Sequence, residues 1–248
     1  MTPKQDARSP EAAAAEAAVS SEADAVRARY ARRDAVGAHY QLANPAALLA
    51  MQERQRALVA LLREVGRGDF AALTLLEVGS GGGGNLLELI HLGFTPSNLA
   101  GIELLAERHA AARARLPADV HLDCGDATAW PLEAASVDVV LQSTVFSSLL
   151  DAAYQQRLAD AMWRAVKPGG GILWYDFTVD NPRNADVRGV GRACVRALFP
   201  EARARFRRVT LAPPLARAVT SLHPALYTAC NALPFLRTHV LGWLAKPS

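Results

Sequence analysis

Cysteine is scarce in this chain, and long hydrophobic runs are absent from it. The three cysteines, Cys124, Cys194 and Cys230, lie far apart without metal-ligand spacing, and an odd number cannot form a complete set of internal disulfides. No apolar run reaches the roughly 18 residues that a membrane span needs, and the N-terminal region holds no hydrophobic signal core. We therefore expect no zinc module, disulfide scaffold or membrane span, and we predict a reducing, cytoplasmic location.

The charge balance is also unremarkable in size. A formal net charge of +3 is too small to indicate nucleic-acid binding by itself, and none of the six histidines has the spacing of a metal-binding pair. With 248 residues, 51% hydrophobic and 21% charged, the chain is long and apolar enough for one sizeable folded domain. We expect no metal.

The composition changes along the chain and predicts its organisation. Residues 1–28 are dominated by Ala, Glu, Ser and Asp and are predicted to form a flexible tail. Residues 29–248 are predicted to form a single domain, with a helical cap over 29–70 and an α/β core over 71–248. The cap prediction rests on apolar residues at helical spacing after Pro45, namely Leu48, Leu49, Met51, Leu58, Leu61, Leu62 and Val65.

Beyond the predicted cap, short apolar runs alternate with helical stretches. Strands that are separated by helices imply right-handed crossovers and parallel pairing, so we predict a doubly wound, mostly parallel, seven-stranded α/β sheet. The predicted strands are Leu73–Val78, Leu99–Ile102, Val120–Leu122, Val137–Leu141, Ile172–Phe177, Phe206–Leu211 and His239–Leu244. The predicted helices are Asn85–Leu92, Leu104–Leu116, a helix capped by Asp151 that ends in a turn at Lys167–Gly170, Gly191–Phe199, and an irregular stretch over Leu215–Leu233.

A glycine-rich loop follows the first predicted strand. Five glycines occur within the six residues from Gly79 to Gly84, between an apolar strand and a helix. Glycine lets the backbone approach a ligand closely, and the helix behind the loop offers unpaired N–H groups. Because ligands of open α/β sheets bind at the carboxyl ends of the strands, this loop predicts a ligand site.

The loop alone does not decide which ligand binds. Its glycines satisfy both the dinucleotide pattern G-x-G-x-x-G and the pattern G-x-G-x-G. Glu77, two residues before Gly79, places a carboxylate where a pyrophosphate would lie, and the chain has no Lys or Arg from Leu73 to Leu105. These features favour a cationic or zwitterionic ligand over a doubly anionic one.

Taken in order, these motifs resemble the class I S-adenosylmethionine-dependent methyltransferases, over most of the chain from Tyr30 to its end. That family has an acidic residue followed by G-x-G-x-G, as in Glu77 to Gly83. A second acid at the end of strand two, here Glu103, receives the ribose hydroxyls, and a carboxylate after strand three, here Asp126, meets the adenine amino group. The fourth strand and the turn before the fifth, Val137–Ser143 and Val166–Gly171, also match.

The resemblance implies a Rossmann-like fold, S-adenosylmethionine as cofactor and S-adenosylhomocysteine as product. Chain length agrees with the implied ribose site: Glu103 lies one helix and one strand after Gly79 and therefore emerges beside the loop at the carboxyl edge. The implied cofactor-binding residues are Glu77, Val78, Gly79, Ser80, Gly81, Gly83, Glu103, Leu104, Asp126, Ala127, Gln142, Ser143 and Thr144.

A methyl group on a sulfonium is already electrophilic, so such an enzyme works mainly by positioning and by excluding water. An acceptor oxygen of high pKa also needs a general base. No sequence triad identifies that base. The residues we select near the expected mouth of the site are Asp176, His39, Tyr40 and His223.

An arginine-rich segment is the first pointer to the acceptor. From Arg183 to Arg217 the chain has nine arginines, no lysine and two acids, which predicts contact with phosphate, carboxylate or an anionic membrane, or else a solvated face. We assign Arg183 and Arg188 to substrate binding. The apolar tail from Leu211 to Leu244 is expected to complete the core, with a substrate lid or a membrane-interface segment as alternatives.

The segments Val145–Asp151 and Leu173–Phe177, the latter with the residues after it, resemble a bacterial subgroup of small-molecule and glycan methyltransferases. We therefore expect methyl transfer to a small-molecule, glycan or lipid-linked acceptor, with oxygen favoured. Nucleic acid is not expected, because the Pro-Pro motif of nucleic-acid methyltransferases is absent and the basic face lacks interleaved aromatics. Two alternatives stay open. One is an NAD(P)-dependent oxidoreductase, although this chain lacks the Tyr-x-x-x-Lys pair expected of one. The other is a non-catalytic cofactor-binding regulatory module.

Overall fold

The computed structural model describes residues 22–32, 42–182 and 184–248, and a seven-stranded sheet forms their centre. The strand order is β3-β2-β1-β4-β5-β7-β6. Neighbouring strands pair in parallel from β3 to β5, whereas β7 runs antiparallel to both of its neighbours. The predicted mostly parallel Rossmann-like sheet is confirmed. The strands are β1 (Leu75–Val78), β2 (Leu99–Glu103), β3 (His121–Cys124), β4 (Val137–Ser143), β5 (Val166–Phe177), β6 (Arg203–Leu211) and β7 (Arg237–Ala245).

Helices connect and cover these strands. Their starts follow local chemistry: the Asn44 side chain accepts a hydrogen bond from the Ala46 N–H at 3.0 Å, and the Asp151 side chain accepts one from the Tyr154 N–H at 2.6 Å. The predicted Asp151 cap is therefore present. The helices are α1 (residues 22–31), α2 (Pro45–Glu64), α3 (Gly84–His91), α4 (Ala106–Arg115), α5 (Ala152–Ala165), α6 (Arg192–Leu198), α7 (Pro213–Leu222) and α8 (Ala225–Asn231).

The sheet is covered on both faces, as a doubly wound arrangement requires. Alternate residues of β4 and β5 point to opposite sides, so Val140 and Trp174 pack with α1, α5 and α6 while Leu141 and Leu173 pack with α2, α3 and α4. All four side chains are 4% exposed or less. Packed helices therefore lie on both sides of the sheet at the ends of its strands.

The N-terminal region differs from the prediction. Residues 22–28, expected to belong to a flexible tail, are part of α1, and Ala23 and Val26 are buried against α5 and the loop after β4. The apolar stripe of α2 buries Leu61 and Leu62 against the sheet, so α2 forms part of a covering layer. A cap over residues 29–70 stays a prediction.

Two connections also differ in detail. The expected turn at Lys167–Gly170 is absent, because β5 begins at Val166 directly after α5 and the extra residues form an irregularity in its pairing with β4. The stretch Leu215–Leu233 contains two helices, which separate at His223 and Pro224. Among the described helices, none is long and apolar enough to cross a bilayer.

Candidate functional site

A cavity of about 110 Å³ opens at the carboxyl ends of β1, β2 and β4. This is the edge at which the sequence placed the ligand site. The structure brings eight of the predicted cofactor residues to its wall: Val78, Gly79, Glu103, Leu104, Asp126, Ala127, Ser143 and Thr144.

The glycine loop packs closely against β2 and against the loop after β4. The N–H groups of Gly79 and Ser80 both donate to the Ile102 carbonyl, at 2.8 and 3.1 Å. Gly79 has a φ of +69°, and a Cβ there would lie 2.5 Å from Cγ2 of Val145. The loop therefore requires glycine at this position for both its conformation and its packing.

Glu103 is fixed at the floor of the cavity. Its Oε2 accepts a hydrogen bond from the Gly81 N–H at 2.7 Å, and its Oε1 accepts one from the Leu105 N–H at 2.9 Å. The side chain is 4% exposed and lines the cavity. A carboxylate has about four acceptor positions, so two remain for ligand hydroxyl groups.

Asp126 lines the same cavity. Its Oδ1 accepts from the N–H and the hydroxyl of Thr128 and from the Tyr154 hydroxyl, each at 2.8 Å. Burial and the adjacent Asp126 charge raise the pKa of Tyr154, which keeps this phenol a donor. The carboxylate is thereby oriented by an α5 side chain that the sequence did not single out.

Glu77 is completely buried next to the loop. Asn85 Nδ2 donates to its Oε1 at 2.6 Å, while Oε2 has no hydrogen-bond partner among the described residues. Burial raises the pKa of Glu77 to about 7, although Asn85 and the positive charge of Arg54 act against this rise. A buried carboxylate oxygen without a partner fits a ligand that brings an ammonium group.

The family match follows this geometry. Residues 75–170, which include the glycine loop, Glu103 and Asp126, match the model of a methyltransferase domain. Around this methyltransferase domain the chain has the fold of the class I S-adenosylmethionine-dependent methyltransferases. The match supports S-adenosylmethionine as the cofactor. No curated protein matches the chain.

Solved structures share the methyltransferase fold at low sequence identity. A SAM-dependent methyltransferase from Archaeoglobus fulgidus has a TM-score of 0.53 and 14% identity, over 80% of this chain and 98% of that one. A putative sarcosine dimethylglycine methyltransferase from Galdieria sulphuraria gives 0.58 and 15%, over 81% and 88%. Phosphoethanolamine N-methyltransferase 2 from Haemonchus contortus, solved with S-adenosyl-L-methionine, gives 0.53 and 15%, over 79% and 53%. At such identities the likeness shows the fold alone.

The remaining residues predicted to bind the cofactor surround the cavity of the methyltransferase without lining it. Ser80 packs against Gly101, and Gly83 packs against Leu116, which follows α4 directly. Gln142 Nε2 donates to a carbonyl of β5 and its Oε1 accepts the Val145 N–H at 3.2 Å, which shapes the loop after β4. Glu77 and Gly81 likewise stand behind the wall, where they contact Asn85 and Glu103.

Helix α1 forms a wall of the methyltransferase cavity that the sequence did not predict. Val26 and Tyr30 line the cavity, and the Arg108 guanidinium lies over the Tyr30 ring, with Cζ 5.0 Å from its centroid. The helix is held by a buried ion pair between Arg29 and Glu22 at 2.6 Å. The two side chains also bond to the backbone of Ser148 and Leu150.

A second polar cluster lies beside Ser143 on the opposite face of the sheet. Arg54 donates to Glu88 at 2.8 Å and to the Ser143 hydroxyl at 3.4 Å, and its guanidinium lies 5.2 Å from the Tyr175 ring centroid. The Tyr175 ring stacks on His239 at 5.1 Å. Burial, helped by the Arg54 charge, lowers the pKa of His239 to about 4, so this imidazole is neutral near pH 7.

The sequence analysis missed His239, although topology gives a signal for it. Because β7 is antiparallel to β5, its first residues lie at the edge where β5 ends, and His239 pairs with Phe177. A strand assumed to be parallel would have placed His239 at the opposite edge of the sheet.

The predicted catalytic residues are not brought to the cavity wall in the described part of the chain. Asp176 is fully buried and accepts the N–H groups of Ser147 and Phe177 at 3.1 and 2.9 Å. His223 is exposed at the end of α7, where its Nδ1 accepts the Ala225 N–H at 3.2 Å. His39 and Tyr40 lie outside the described residues.

Of the two arginines predicted to bind substrate, one is described. Arg188 is exposed, and its backbone N–H donates to the Ser147 carbonyl at 2.8 Å, next to Ser148 of the cavity wall. Arg183 lies outside the described residues. The backbone of Arg188 is therefore held near the mouth of the site.

Proposed function

We propose that this methyltransferase transfers a methyl group to an oxygen atom of a small-molecule, glycan or lipid-linked acceptor. The observation that carries the proposal is the cavity whose wall holds both Glu103 and Asp126 in fixed positions, beside a glycine loop with a buried acid. The family match favours methyl transfer over the NAD(P)-dependent oxidoreductase. A non-catalytic regulatory role is the alternative that the experiment below separates.

The residues present fit the cofactor. We propose that Glu103 binds the ribose hydroxyls, that Asp126 binds the adenine amino group, and that Leu104 and Ala127 flank the base. Glu77 would meet the methionine ammonium, because its Oε2 is buried without a hydrogen-bond partner among the described residues. Gly79 supports this assignment, because a residue without a Cβ lets the backbone of the loop come close to the cofactor.

When bound, the cofactor supplies an electrophilic methyl group. The chain contributes position and the exclusion of water. Val26 and Tyr30 of α1 line the cavity, and Ser143 lines both the cavity and the space beside the second polar cluster. Because Ser143 lies between the cavity and the space beside the second polar cluster, we place the acceptor in that second space, across Ser143 from the cofactor.

An acceptor hydroxyl must lose its proton during transfer. Asp176, one of the four residues selected from sequence, is fully buried away from the cavity wall, and its bonds to the Ser147 and Phe177 N–H groups support a role in positioning the loop after β4. His239 stacks on Tyr175, which lines the second space together with Ser143, and its imidazole is neutral near pH 7. We therefore propose His239 as the general base, with His39 and Tyr40 as further sequence-based predictions.

Arginines near the mouth point to an acidic acceptor. Arg188 is exposed and is anchored through its backbone beside the cavity wall. We propose that it and Arg183 bind a carboxylate or phosphate of the acceptor. Under this proposal the R188Q variant raises the KM for the acceptor, while the R164Q variant, changed at an exposed position on α5, leaves it unaltered.

Methyl transfer is tested with S-adenosylmethionine carrying a tritiated methyl group. The enzyme is incubated with fractionated bacterial small molecules, glycans and lipid-linked glycans, and tritium in products and S-adenosylhomocysteine are measured together. The proposal predicts stoichiometric transfer that is lost in E103Q and retained in E133Q, where an exposed acid is changed. Cofactor binding without transfer to any fraction would support the regulatory module instead.

A further inference from the structure

An exposed surface without charged residues lies at the C-terminal part of the chain. Residues 218–236 contain no Asp, Glu, Lys or Arg and are bounded by Arg217 and Arg237. Most side chains from 221 to 235 are exposed. Four large apolar side chains stand out, and we name them the apolar rim: Leu222, Leu226, Leu233 and Phe235, with exposed fractions of 79%, 39%, 45% and 71%.

The apolar rim is held on a rigid base. On α8, Tyr227 and Asn231 are buried, and Tyr227 packs with Ala46 of α2 and Leu211 of β6. Leu226 is an exposed residue of α8, and Leu233 is exposed between that helix and the 3₁₀ turn that follows. The short 3₁₀ turn of Pro234–Leu236 then presents Phe235. The rim therefore projects from packed elements.

An open groove lined by arginines adjoins the apolar rim. Its walls include Pro234 of the 3₁₀ turn together with Arg192, Arg207, Arg208 and Arg237. The guanidinium of Arg237 donates to the Arg208 carbonyl at 2.9 Å, which fixes the turn against β6. Arg207 pairs with an acid on α2, whereas Arg192 and Arg208 have no carboxylate within ion-pair distance among the described residues.

The charge around this groove is mostly positive. From Ala202 to the end the chain has no Asp or Glu, and it has seven basic residues: Arg203, Arg205, Arg207, Arg208, Arg217, Arg237 and Lys246. One acid, Glu53, lines the groove and accepts the Thr210 N–H at 2.9 Å. The surface thus combines exposed apolar groups with an adjacent excess of positive charge.

We propose that the apolar rim and the arginine groove dock this methyltransferase onto an anionic phospholipid bilayer. An exposed apolar patch rimmed by polar groups marks an interaction surface, and apolar side chains flanked by arginines are the pattern that inserts at the headgroup boundary. Each arginine near an anionic membrane adds a favourable contribution. A nucleic acid would instead select aromatic platforms within the groove, and none of the groove-lining residues is aromatic.

The position of this surface agrees with access to an acceptor held in a membrane. Arg237 begins β7, and His239 two residues later pairs with Phe177 at the end of β5. The rim and the cofactor cavity therefore belong to the same edge of the sheet. This link rests on the proposed function, whereas docking itself does not.

Docking is tested by sedimentation of the full chain with phosphatidylcholine vesicles, with and without phosphatidylglycerol. The variant L233S/F235S removes two rim side chains, and R192Q/R208Q removes two groove charges. Wild type is expected to bind anionic vesicles at least about tenfold more tightly than neutral ones, with a loss of about tenfold or more in each variant. The matched controls F235L, which keeps an apolar side chain, and R63Q/R164Q, with exposed arginines elsewhere, are expected to bind as wild type does.

The same preparations are titrated with S-adenosylmethionine to show that each variant is folded. Absence of vesicle binding by wild type would overturn the proposal, and so would equal binding to neutral and anionic vesicles. Binding to duplex DNA or RNA that L233S/F235S leaves unchanged, without vesicle binding, would assign the groove to nucleic acid. Because no acceptor is needed, failure here leaves methyl transfer untouched, and failure of the tritium assay leaves docking untouched.

Discussion

At the level of single residues, the buried acid Glu77 is expected to make stability depend on pH. Its pKa is raised from 4.5 to about 7 by burial. Between these values the folded chain keeps a proton that the unfolded chain has lost. The stabilising contribution is therefore fully present below pH 4.5 and is lost as the pH rises through about 7.

The variant E77Q tests this sign. Glutamine keeps the shape and still accepts from Asn85 but does not ionise, so at pH 8 we expect the ligand-free variant to be more stable than wild type, by roughly 1 to 3 kcal/mol. At pH 5 this advantage should vanish. Chemical denaturation at the two pH values measures it, with E133Q as the control for an exposed acid. A stability difference that is independent of pH would refute the buried charge.

The residues that sequence could predict are those fixed by chain topology. Glu103 and Asp126 follow strand ends, so βα periodicity alone brings them to one edge. Tyr154 and Arg108 reach the cavity through the rotation and packing of their helices, which the local sequence does not determine. His239 depends on the direction of a single strand.

At the level of elements, the glycine loop is the most constrained segment. Its tolerance is tested by G79A, where a Cβ at a φ of +69° would meet Val145. We expect a loss of roughly 2 to 4 kcal/mol in the free energy of unfolding, from backbone strain plus overpacking. The double variant G79A/V145A should recover the packing part and keep the strain.

Gly82 is the matched control for this series. Its φ lies outside the left-handed region and nothing lies within 4 Å of a Cβ added there, so G82A should cost less than about 1 kcal/mol in unfolding free energy. Equal losses in G79A and G82A would show that the loop does not pack as described.

Helix α1 is the element that the sequence could not place. Its composition offers few large apolar residues, and its docking depends on Glu22 and Arg29 bonding to the backbone of a loop more than one hundred residues away. Hydrogen bonds between buried charges and residues so distant in sequence leave no pattern in the sequence of the helix itself. The strands and the helices α3 to α6 could be predicted because each has its own apolar pattern and its own residues that begin or end the element.

The role of α1 is tested by V26D, which places a charge in the cavity wall. We expect the Kd for S-adenosylmethionine to rise at least about tenfold, with α1 released from the site, because an unpaired buried carboxylate is costly. Ala28 is exposed on the same helix, and A28D is therefore the control expected to bind normally. Equal affinities for V26D and wild type would mean that α1 takes no part in binding.

At the level of the whole molecule, the sheet separates two kinds of site. One face joins the cavity to α1 and α5, while the opposite face holds the polar cluster around Arg54 and Tyr175. Ser143, at the end of β4, lies between them. The proposed direction of transfer therefore crosses the carboxyl edge of the sheet, next to the apolar rim.

The central claim is that the cavity binds a sulfonium nucleoside through Glu103. Isothermal titration of the protein with S-adenosylmethionine, S-adenosylhomocysteine and NADH, in parallel for wild type and E103Q, tests it most directly. We expect one site per chain for the first two compounds, no heat from NADH, and an affinity lowered by roughly ten- to one-hundred-fold in E103Q. Binding of NADH with no binding of S-adenosylmethionine would contradict the account.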